Sequence, residues 1–320
     1  MGHPAPAELA SVATLDHLYP MMSDLNITCG WHRPTPSLWP EPKKNFVPFH
    51  WRYTQAKAAL DAAGRLIDTS LAERRNLILF NPVDGSQYAT ARTIISAYQM
   101  VLPGEIARSH RHVPNALRFV LDAEPGMYTV VNGEALEMLP GDVLLTPNWC
   151  WHGHNNEGKA PAYWLDFLDV PLVQLLEPMF FEHYPKQYEP VHAKPQQSPF
   201  VFKWADSEKR LATAADTPQF GHQIELGEPA METLGLYYQR IAKGRKTQSL
   251  RTTANNVYGV LRGHGATEVD GERFEWARGD VIVAPGWRAH HHEVHEDAVL
   301  FRVTDAPVQQ RLGILRVADR

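Results

Sequence analysis

The 320-residue chain contains 44% hydrophobic and 21% charged residues, which is typical of a globular protein with a substantial core in one large domain or two ordinary ones. Its net charge of -5, with no block of Lys or Arg, argues against a nucleic-acid binder that works through a basic surface. Two isolated cysteines, Cys29 and Cys150, argue against a disulfide framework and fit a reducing cytoplasm, which is the location we expect.

The sequence predicts neither a secretory signal nor a membrane span. The N-terminal residues MGHPAPAELASVATLDHLYP lack a basic start followed by an apolar run. No stretch approaches the roughly 18 uninterrupted apolar residues that a spanning helix needs. We therefore expect a protein whose partners are neither nucleic acids nor membranes.

Residues 1–92 are predicted to form an N-terminal arm with one short helix. The first fifty residues are rich in proline and aromatic side chains and predict irregular structure. The segment QAKAALDAAGRL, residues 55–66, predicts a helix from its alanine and leucine content.

From Thr93 the chain changes to short β-rich runs. Runs such as TIISAYQMVL, LRFVL and DVLLTP alternate with the turn signals PG, NG and PGD. Strands this short and this regularly separated indicate an antiparallel barrel or sandwich. We predict a first β module over residues 93–182, a linker over residues 183–234 and a second β module over residues 235–320.

The two β modules carry an internal repeat. NGEALEMLPGDVLLTPNWCWH in the first aligns without a gap with DGERFEWARGDVIVAPGWRAH in the second. Six identical pairs lie 138 positions apart: Gly133/Gly271, Gly141/Gly279, Asp142/Asp280, Pro147/Pro285, Trp149/Trp287 and His152/His290. Identities in register over about twenty residues predict two copies of one module.

A candidate metal site lies in the first module. Gly104 is followed after five residues by His110-Arg111-His112. Residues i and i+2 of a strand lie on one face, so both imidazoles are predicted to face the barrel interior. With His152, 40 residues further on, three imidazoles suit a divalent first-row metal and leave coordination positions open. Taken alone, a His-x-His pair is commonly a surface or core feature.

The spacing of these histidines resembles the two motifs of cupins. The matching motifs are Gly104-(five)-His110-x-His112 and Gly141-(five)-Pro147-x-Trp149-(two)-His152-(three)-Asn156. Cupins usually have a glutamate shortly after the second histidine, where Ala116 and Leu117 stand here. A three-histidine site without glutamate is similar to ring-cleaving and thiol dioxygenases. The resemblance implies an all-β fold in which a double-stranded β-helix is repeated twice (a bicupin).

Longer segments resemble the gentisate 1,2-dioxygenase family, which includes salicylate and 1-hydroxy-2-naphthoate dioxygenases. They are ERRNLILFNP (73–82), SHRHVPNALRF (109–119), VVNGEALEMLPGDVLLTPNWCWHGH (130–154) and WLDFLDVP (164–171). The resemblance implies Fe(II) and a reaction in which O2 opens a 2-hydroxybenzoate between its carboxylate-bearing and hydroxyl-bearing carbons. Gentisate, opened to maleylpyruvate, is the first choice of substrate, and a 5-substituted salicylate is the second. We also expect a homo-oligomer, either a dimer or a tetramer.

Strand parity adds two candidates near the metal site. Arg118 lies six residues after His112, so on a regular strand it faces the same interior, where its guanidinium can bind a carboxylate with two charge-assisted hydrogen bonds. His154 shares the face of His152 and could act as an acid or base. Four residues match positions that the family uses around its substrate: His154 and Asp166, which we predict to be catalytic, and Gln99 and Arg74, which with Arg118 we predict to bind substrate.

Each of these candidates has a structural alternative. Arg118 could form a salt bridge within the barrel. Arg74, flanked by Glu73 and Arg75, could belong to an ordinary surface charge cluster. His154 could be a solvent-facing loop residue.

The second module lacks the two strand histidines. Leu250 and Thr252 stand at their places, and His290 remains at the third. One imidazole rarely holds a catalytic metal, so we predict that this module is metal-free and that the histidines over residues 290–295 form a polar barrel mouth.

Three residues depart from the family pattern, Phe167, Ile95 and Phe80, and they bear on the substrate more than on the reaction. Two other functions remain open. One is a metal cupin that works without O2, as an isomerase or hydrolase, and the other is a ligand-binding cupin without catalysis.

Overall fold

A computed structural model describes residues 3–32, 35–227 and 230–318 of the chain. The chain divides into two units, residues 1–43 and residues 44–320. The first contains helices α1 (Pro6–Ala10) and α2 (Leu15–Asp24), neither of which the sequence predicts. Both are weak in sequence, since α1 is a single turn and α2 has Pro20 in its interior.

The helices of residues 44–320 are short apart from the predicted one. The expected helix over residues 55–66 is confirmed, with bounds Tyr53–Leu66 (α3). The others are α4 (Val170–Leu176), α5 (Trp204–Thr213) and α6 (Ala306–Arg311).

Antiparallel strands are the main regular structure of this unit. In chain order they are β1 (Phe49–Trp51), β2 (Arg75–Ile78), β3 (Ile95–Val101), β4 (Ile106–His112), β5 (Ala116–Asp122), β6 (Met127–Val131), β7 (Glu134–Glu137), β8 (Val143–Thr146), β9 (His152–Asn156), β10 (Ala162–Leu168), β11 (Phe181–His183), β12 (Val201–Phe202), β13 (Asp216–Thr217), β14 (Gly221–Glu225), β15 (Gly235–Ile241), β16 (Asn256–Arg262), β17 (Gly265–Val269), β18 (Glu272–Trp276), β19 (Val281–Ala284), β20 (His290–Val294) and β21 (Ala298–Thr304).

The strands form two barrels of two sheets each. The first barrel has sheets in the orders β12-β8-β5-β10-β3-β2 and β11-β4-β9-β6-β7. The second has sheets in the orders β1-β19-β16-β21-β15-β14-β13 and β18-β17-β20. Val120 and Trp164 of one sheet pack with Met127 and Val131 of the other inside the first barrel. The pattern of strands and turns in the sequence therefore predicted the architecture correctly.

A shared core joins the two barrels. Phe119 of β5 stacks on Phe301 of β21, with ring centroids 4.8 Å apart, and Tyr238 of β15 packs against Phe301 at 5.3 Å. Gly259 of β16 lies so close that a Cβ there would stand 3.2 Å from the Phe119 ring. Burying each such ring stabilises the fold by roughly 1.5–3 kcal/mol, so this core is a large part of what holds the barrels together.

Segments outside the repeat add strands to both barrels. The N-terminal strand β1 pairs with β19 of the second barrel, and the linker strand β12 pairs with β8 of the first. The linker also adds β13 and β14 to the second barrel. We therefore keep residues 93–182 and 235–320 as the two proposed modules and regard the flanking segments as shared between them.

Asp142 and Asp280, which occupy equivalent positions in the repeat, anchor these flanking segments. Neither α3 nor α5 has a side-chain cap from its own N-cap residue. Instead, Asp280 accepts a hydrogen bond from the Tyr53 backbone N–H at 2.8 Å, and Asp142 accepts one from the Trp204 N–H at 2.8 Å. Each carboxylate thus satisfies a backbone donor at a helix start contributed by a distant segment.

Replacing Asp280 with Ala should lower the free energy of unfolding by about 2 kcal/mol or more, because it leaves the buried Tyr53 N–H and the His50 ring without their acceptor. Urea unfolding of the purified variant measures the loss. Asp206→Ala is the matched control, since the Asp206–Lys209 pair is exposed and its loss should cost under about 0.5 kcal/mol. Equal losses in the two variants would contradict the role of Asp280.

Candidate metal centre and substrate pocket

The three predicted histidines converge across two paired strands. His110 and His112 lie on β4, and His152 lies on β9 directly opposite His110. Ring centroids lie 4.3 Å apart for His110 and His152, 4.8 Å for His112 and His152, and 5.6 Å for His110 and His112. One nitrogen of each ring lies within 4.8 Å of those of the other two, so the rings could share one ion.

Backbone carbonyls orient the three rings. In each ring Nδ1 faces a carbonyl oxygen two residues away in the chain. The distances are 3.4 Å from His110 to Arg108, 2.8 Å from His112 to Pro114 and 3.0 Å from His152 to Cys150. Donation from Nδ1 leaves the Nε2 lone pair for a metal, which is how ligating histidines are commonly oriented.

Burial keeps the rings neutral. Desolvation is the main cause that lowers the pKa of His110 to about 2 and that of His112 to about 4, and it lowers the pKa of His152 well below its usual value. The guanidinium of Arg118 lowers all three pKa values further. Neutral imidazoles without a carboxylate suit Fe(II) and other first-row ions better than Mg²⁺ or Ca²⁺, which prefer oxygen ligands. The donor set therefore fits a ferrous ion.

Arg118 of β5 is buried beside this cluster. Its Nε donates to His154 Nε2 at 3.3 Å, and its Nη1 donates to Thr146 Oγ1 at 3.1 Å. The expected alternative, a salt bridge within the barrel, is present only as a long contact of 3.9 Å to Asp166 Oδ1. Burial lowers the pKa of Arg118 to about 10, so the group is still a cation at neutral pH. A buried cation with so distant a counter-ion can bind a substrate carboxylate.

His154 is not a solvent-facing loop residue. It lies on β9 with 1% of its surface exposed. Because Nε2 accepts from Arg118, the proton is assigned to Nδ1, which donates to Thr129 Oγ1 at 3.2 Å. Burial, followed by the charge of Arg118, lowers the pKa of His154 well below its usual value. The ring is therefore neutral, and its one lone pair, at Nε2, is directed at the Arg118 Nε–H.

Asp166 and Gln99 lie beside Arg118. Asp166 pairs with Arg118 in the β10–β5 register, and its Oδ1 accepts a hydrogen bond from Trp164 Nε1 at 2.7 Å. Its Oδ2 accepts from Gln99 Nε2. Burial raises the pKa of Asp166, although Arg118 opposes this effect. Gln99 Oε1 is buried and has no partner among the described residues, so an acceptor remains for a ligand.

Arg74 is half-buried, and its charge acts on the histidine cluster. Its neighbours are paired elsewhere, Glu73 with Arg108 at 2.5 Å and Arg75 with Glu105. Arg74 Nε is buried without a hydrogen-bond partner in the part of the chain that the structure describes. Its charge contributes to lowering the pKa of His110, His112 and His154. All eight predicted site residues are thus brought to one region.

Two residues of this region were not predicted. Phe181 of β11 stacks on His110 with centroids 5.3 Å apart, and no motif or repeat in the sequence marks it. Thr129, the partner of His154, does carry a signal. It recurs 138 positions later as Thr267, which lies 2.8 Å from Nδ1 of His292 in the second barrel.

The second barrel presents a different set at the equivalent place. Leu250 is bridged to His290 as His110 is paired with His152 in the first barrel. Among the described residues, the histidines of the first barrel are the one cluster of three or more His, Cys, Asp or Glu that could hold a metal. That the second barrel binds no metal stays a prediction.

No helix in the described residues is long and apolar enough to cross a membrane.

Comparison with known proteins gives consistent matches. The cupin domain family matches residues 97–168. Gentisate 1,2-dioxygenase 1 of Aquipseudomonas alcaligenes is 34% identical over 86% of this chain and 88% of its own length. The 5-aminosalicylate 1,2-dioxygenase of a Comamonas species is 35% identical over 94% of this chain and 89% of its own. The solved structure of the Pseudoaminobacter salicylatoxidans salicylate 1,2-dioxygenase adduct with gentisate superimposes with a TM-score of 0.86 at 27% identity, over 97% of this chain and 96% of that one.

The stability of the metal-free protein should fall as the pH is lowered from about 6.5 towards 4. The folded-state pKa values of His110 and His112, about 2 and about 4, lie below the unfolded value of 6.5, so the unfolded state binds more protons in this range. Urea unfolding at several pH values measures the slope.

The variant His112→Asn should flatten this slope by up to one proton, about 1.4 kcal/mol per pH unit. The control is His264→Asn, at an exposed histidine, which should leave the slope of stability against pH almost unchanged. If His112→Asn kept the full slope, His112 would not be held neutral by the fold.

Proposed function

The chain belongs to the gentisate 1,2-dioxygenase family, and we propose that it uses O2 to open the ring of a 2-hydroxybenzoate at a ferrous ion held by His110, His112 and His152. The observation that carries this proposal is the convergence of three neutral imidazoles beside the buried guanidinium of Arg118. The resemblance in the motifs, the two-barrel fold and the dioxygenase class are confirmed by the matches.

The residues present fit the cofactor. Bound Fe(II) would supply coordination positions at which the substrate's carboxylate and ortho-hydroxyl and O2 are held together. The three imidazoles add no negative charge, so the site stays positive, which favours an anionic substrate.

We assign the recognition of the substrate carboxylate to Arg118 and Arg74. Arg118 is pre-oriented by Thr146 and His154, so little side-chain entropy is lost when an anion binds. Arg74 has a buried Nε without a partner in the described residues, which an anion would satisfy.

We assign proton handling to His154 and positioning to Asp166 and Gln99. His154 is neutral, and its Nε2, whose lone pair accepts from Arg118 in the substrate-free protein, is the atom that would take a proton from a substrate hydroxyl. Asp166 holds the Gln99 amide and balances part of the charge of Arg118. Gln99 then offers Oε1 as an acceptor to a ring hydroxyl or amino group.

The substrate is gentisate or a 5-substituted salicylate. Two of the three departures from the family pattern lie away from the pocket, since Phe80 is 51% exposed and Phe167 packs against Phe301 in the shared core. Ile95 is buried on β3 with the parity of Gln99, so it is the departure that can contact a ring.

The chain is also proposed to be cytoplasmic and to form a homo-oligomer, a dimer or a tetramer. Five apolar residues over a short segment after β10 are exposed by 36–66%: Leu175, Leu176, Met179, Phe180 and Phe181. A contiguous set of this kind is typical of a subunit interface.

Oxygen uptake by the protein loaded anaerobically with Fe(II) tests the function. Gentisate, salicylate and 5-aminosalicylate form the substrate panel, and 3-hydroxybenzoate, whose hydroxyl is displaced from the ortho position, is the matched control. We expect one O2 consumed per ring opened with at least one member of the panel and none with the control. If no 2-hydroxybenzoate caused any uptake of O2, a cupin that works without O2 would be favoured.

Replacing His110, His112 or His152 with Ala should abolish retention of iron, because two imidazoles remain for an ion that needs three protein ligands. Metal analysis after iron-replete expression and desalting measures the content, and His264→Ala, an exposed histidine, should retain iron like the parent. Full iron content in any one variant would remove that residue from the ligand set.

Arg118→Met should lower kcat/KM for the aromatic substrate by about 30-fold or more and raise KM, because it removes a buried charged partner of the carboxylate. Iron content should stay normal, which separates this effect from loss of the metal. Arg273→Met, at an exposed ion pair, should be kinetically silent. An unchanged kcat/KM in Arg118→Met would contradict the carboxylate clamp.

A further inference from the structure

The interior of the second barrel contains buried polar side chains that the proposed reaction does not use. They are Gln239, Asn256, Tyr258, His290, His292 and Arg302, each at most 7% exposed. Apolar residues of this barrel, such as Val260 and Leu300, pack with Tyr258, so polar and apolar side chains share the interior.

Arg302 of β21 is a buried cation that forms no ion pair with any carboxylate among the described residues. Its guanidinium carbon lies 4.2 Å from the ring centroid of Tyr237 and 4.5 Å from that of Phe220. Nη1 donates to Asn256 Oδ1 at 3.3 Å, and Nε has no hydrogen-bond partner among the described residues. Burial is the main effect on the pKa of Arg302 and lowers it, while Tyr258, Tyr237 and Glu225 act in the opposite direction.

Leaving a guanidinium in this state is costly, because a buried charge needs a paired charge or a full set of hydrogen bonds. In the first barrel the buried guanidinium of Arg118 has an anionic residue, Asp166, nearby. In the second barrel the place equivalent to Asp166, 138 positions on, is Thr304, which has no charge. A planar anion from solution would complete the site, since a guanidinium matches a carboxylate in geometry.

A second unpartnered group lies beside Arg302. Gln239 is fully buried on β15, two residues along from Tyr237, which is the register partner of Arg302. Its Nε2 donates to Gln223 Oε1 at 2.8 Å, and its Oε1 has no partner in the described part of the chain. Diagonal neighbours on adjoining strands have Cα atoms roughly 7–8 Å apart, which a molecule of a few heavy atoms can bridge.

We propose that the second barrel is a binding site for a short hydroxycarboxylate, with Arg302 holding the carboxylate and Gln239 accepting a hydrogen bond from the hydroxyl. The ligand is short because Tyr258, which donates to or accepts from His290 Nε2 at 2.7 Å, fills space inside the lumen. With Leu250 and Thr252 at the ligand positions of the first barrel, the site works without a metal. This proposal does not depend on the reaction in the first barrel.

Calorimetric titration of the iron-loaded protein under argon, with glycolate as the probe, tests the site. Glycolate can also reach the first barrel, so the comparison of variants is decisive. Arg302→Met should remove one class of binding sites or weaken it by about tenfold or more, and Arg118→Met should retain that class. Turnover of the aromatic substrate by Arg302→Met should equal that of the parent, which also shows that the variant is folded.

Two further arms complete the experiment. Gln239→Leu should weaken glycolate about tenfold while leaving acetate, which lacks the hydroxyl, unchanged. If Arg302→Met does not fold, this variant alone decides. Glycolate binding that is the same in the parent and both variants would overturn the proposal, as would binding of inorganic phosphate at the Arg302-dependent site without binding of glycolate.

Discussion

The pairing of β4 with β9 is the constraint on which the rest of the site depends. His110 lies opposite His152 across this ladder, and strand alternation places His112 on the same side as His110. A register shift between Ala107 and His110 separates this pair from the pairing nearer the strand start. A slip of one residue would turn the rings of β4 to the other face of the sheet, and the cluster would be lost.

The electrostatics of the first barrel follow from that geometry. Burial makes the imidazoles neutral, while Arg118 and Arg74 bring positive charge that Asp166 balances only in part. An interior that is positive and desolvated favours an anion that chelates a metal, and it strengthens each hydrogen bond made to that anion. The second barrel has a buried arginine, but in place of β4 it has only isolated bridges, and it lacks both the histidine pair and the nearby aspartate.

The convergence of the site residues could largely be predicted from the sequence, because it follows from the alternation of side chains along strands. Strand parity assigned His110, His112, Arg118 and His154 to one interior, and the structure brings them together. The repeat also identified Asp142 and Asp280, but not their function. Their partners are helix starts from distant segments, and nothing in a single sequence says which open sheet edge a flanking strand will occupy.

Other features were beyond a reading of local patterns. Whether Arg74 faces solvent or the pocket depends on which acidic residues pair with its neighbours, which only tertiary contacts decide. Phe181 contacts His110 through a strand of three residues whose side chains are exposed and carry no alternation. The assignment of roles to all of these residues remains a prediction, while the fold and the family are established.

The proposed chemistry requires one ion per chain, bound by three imidazoles of the first barrel. X-ray absorption spectroscopy of the iron-loaded protein, combined with metal analysis, measures both quantities in one sample. We expect one iron per chain and a first coordination shell of nitrogen and oxygen with the scattering of three imidazoles. Two irons per chain, or a shell with sulfur or with a single imidazole, would contradict it.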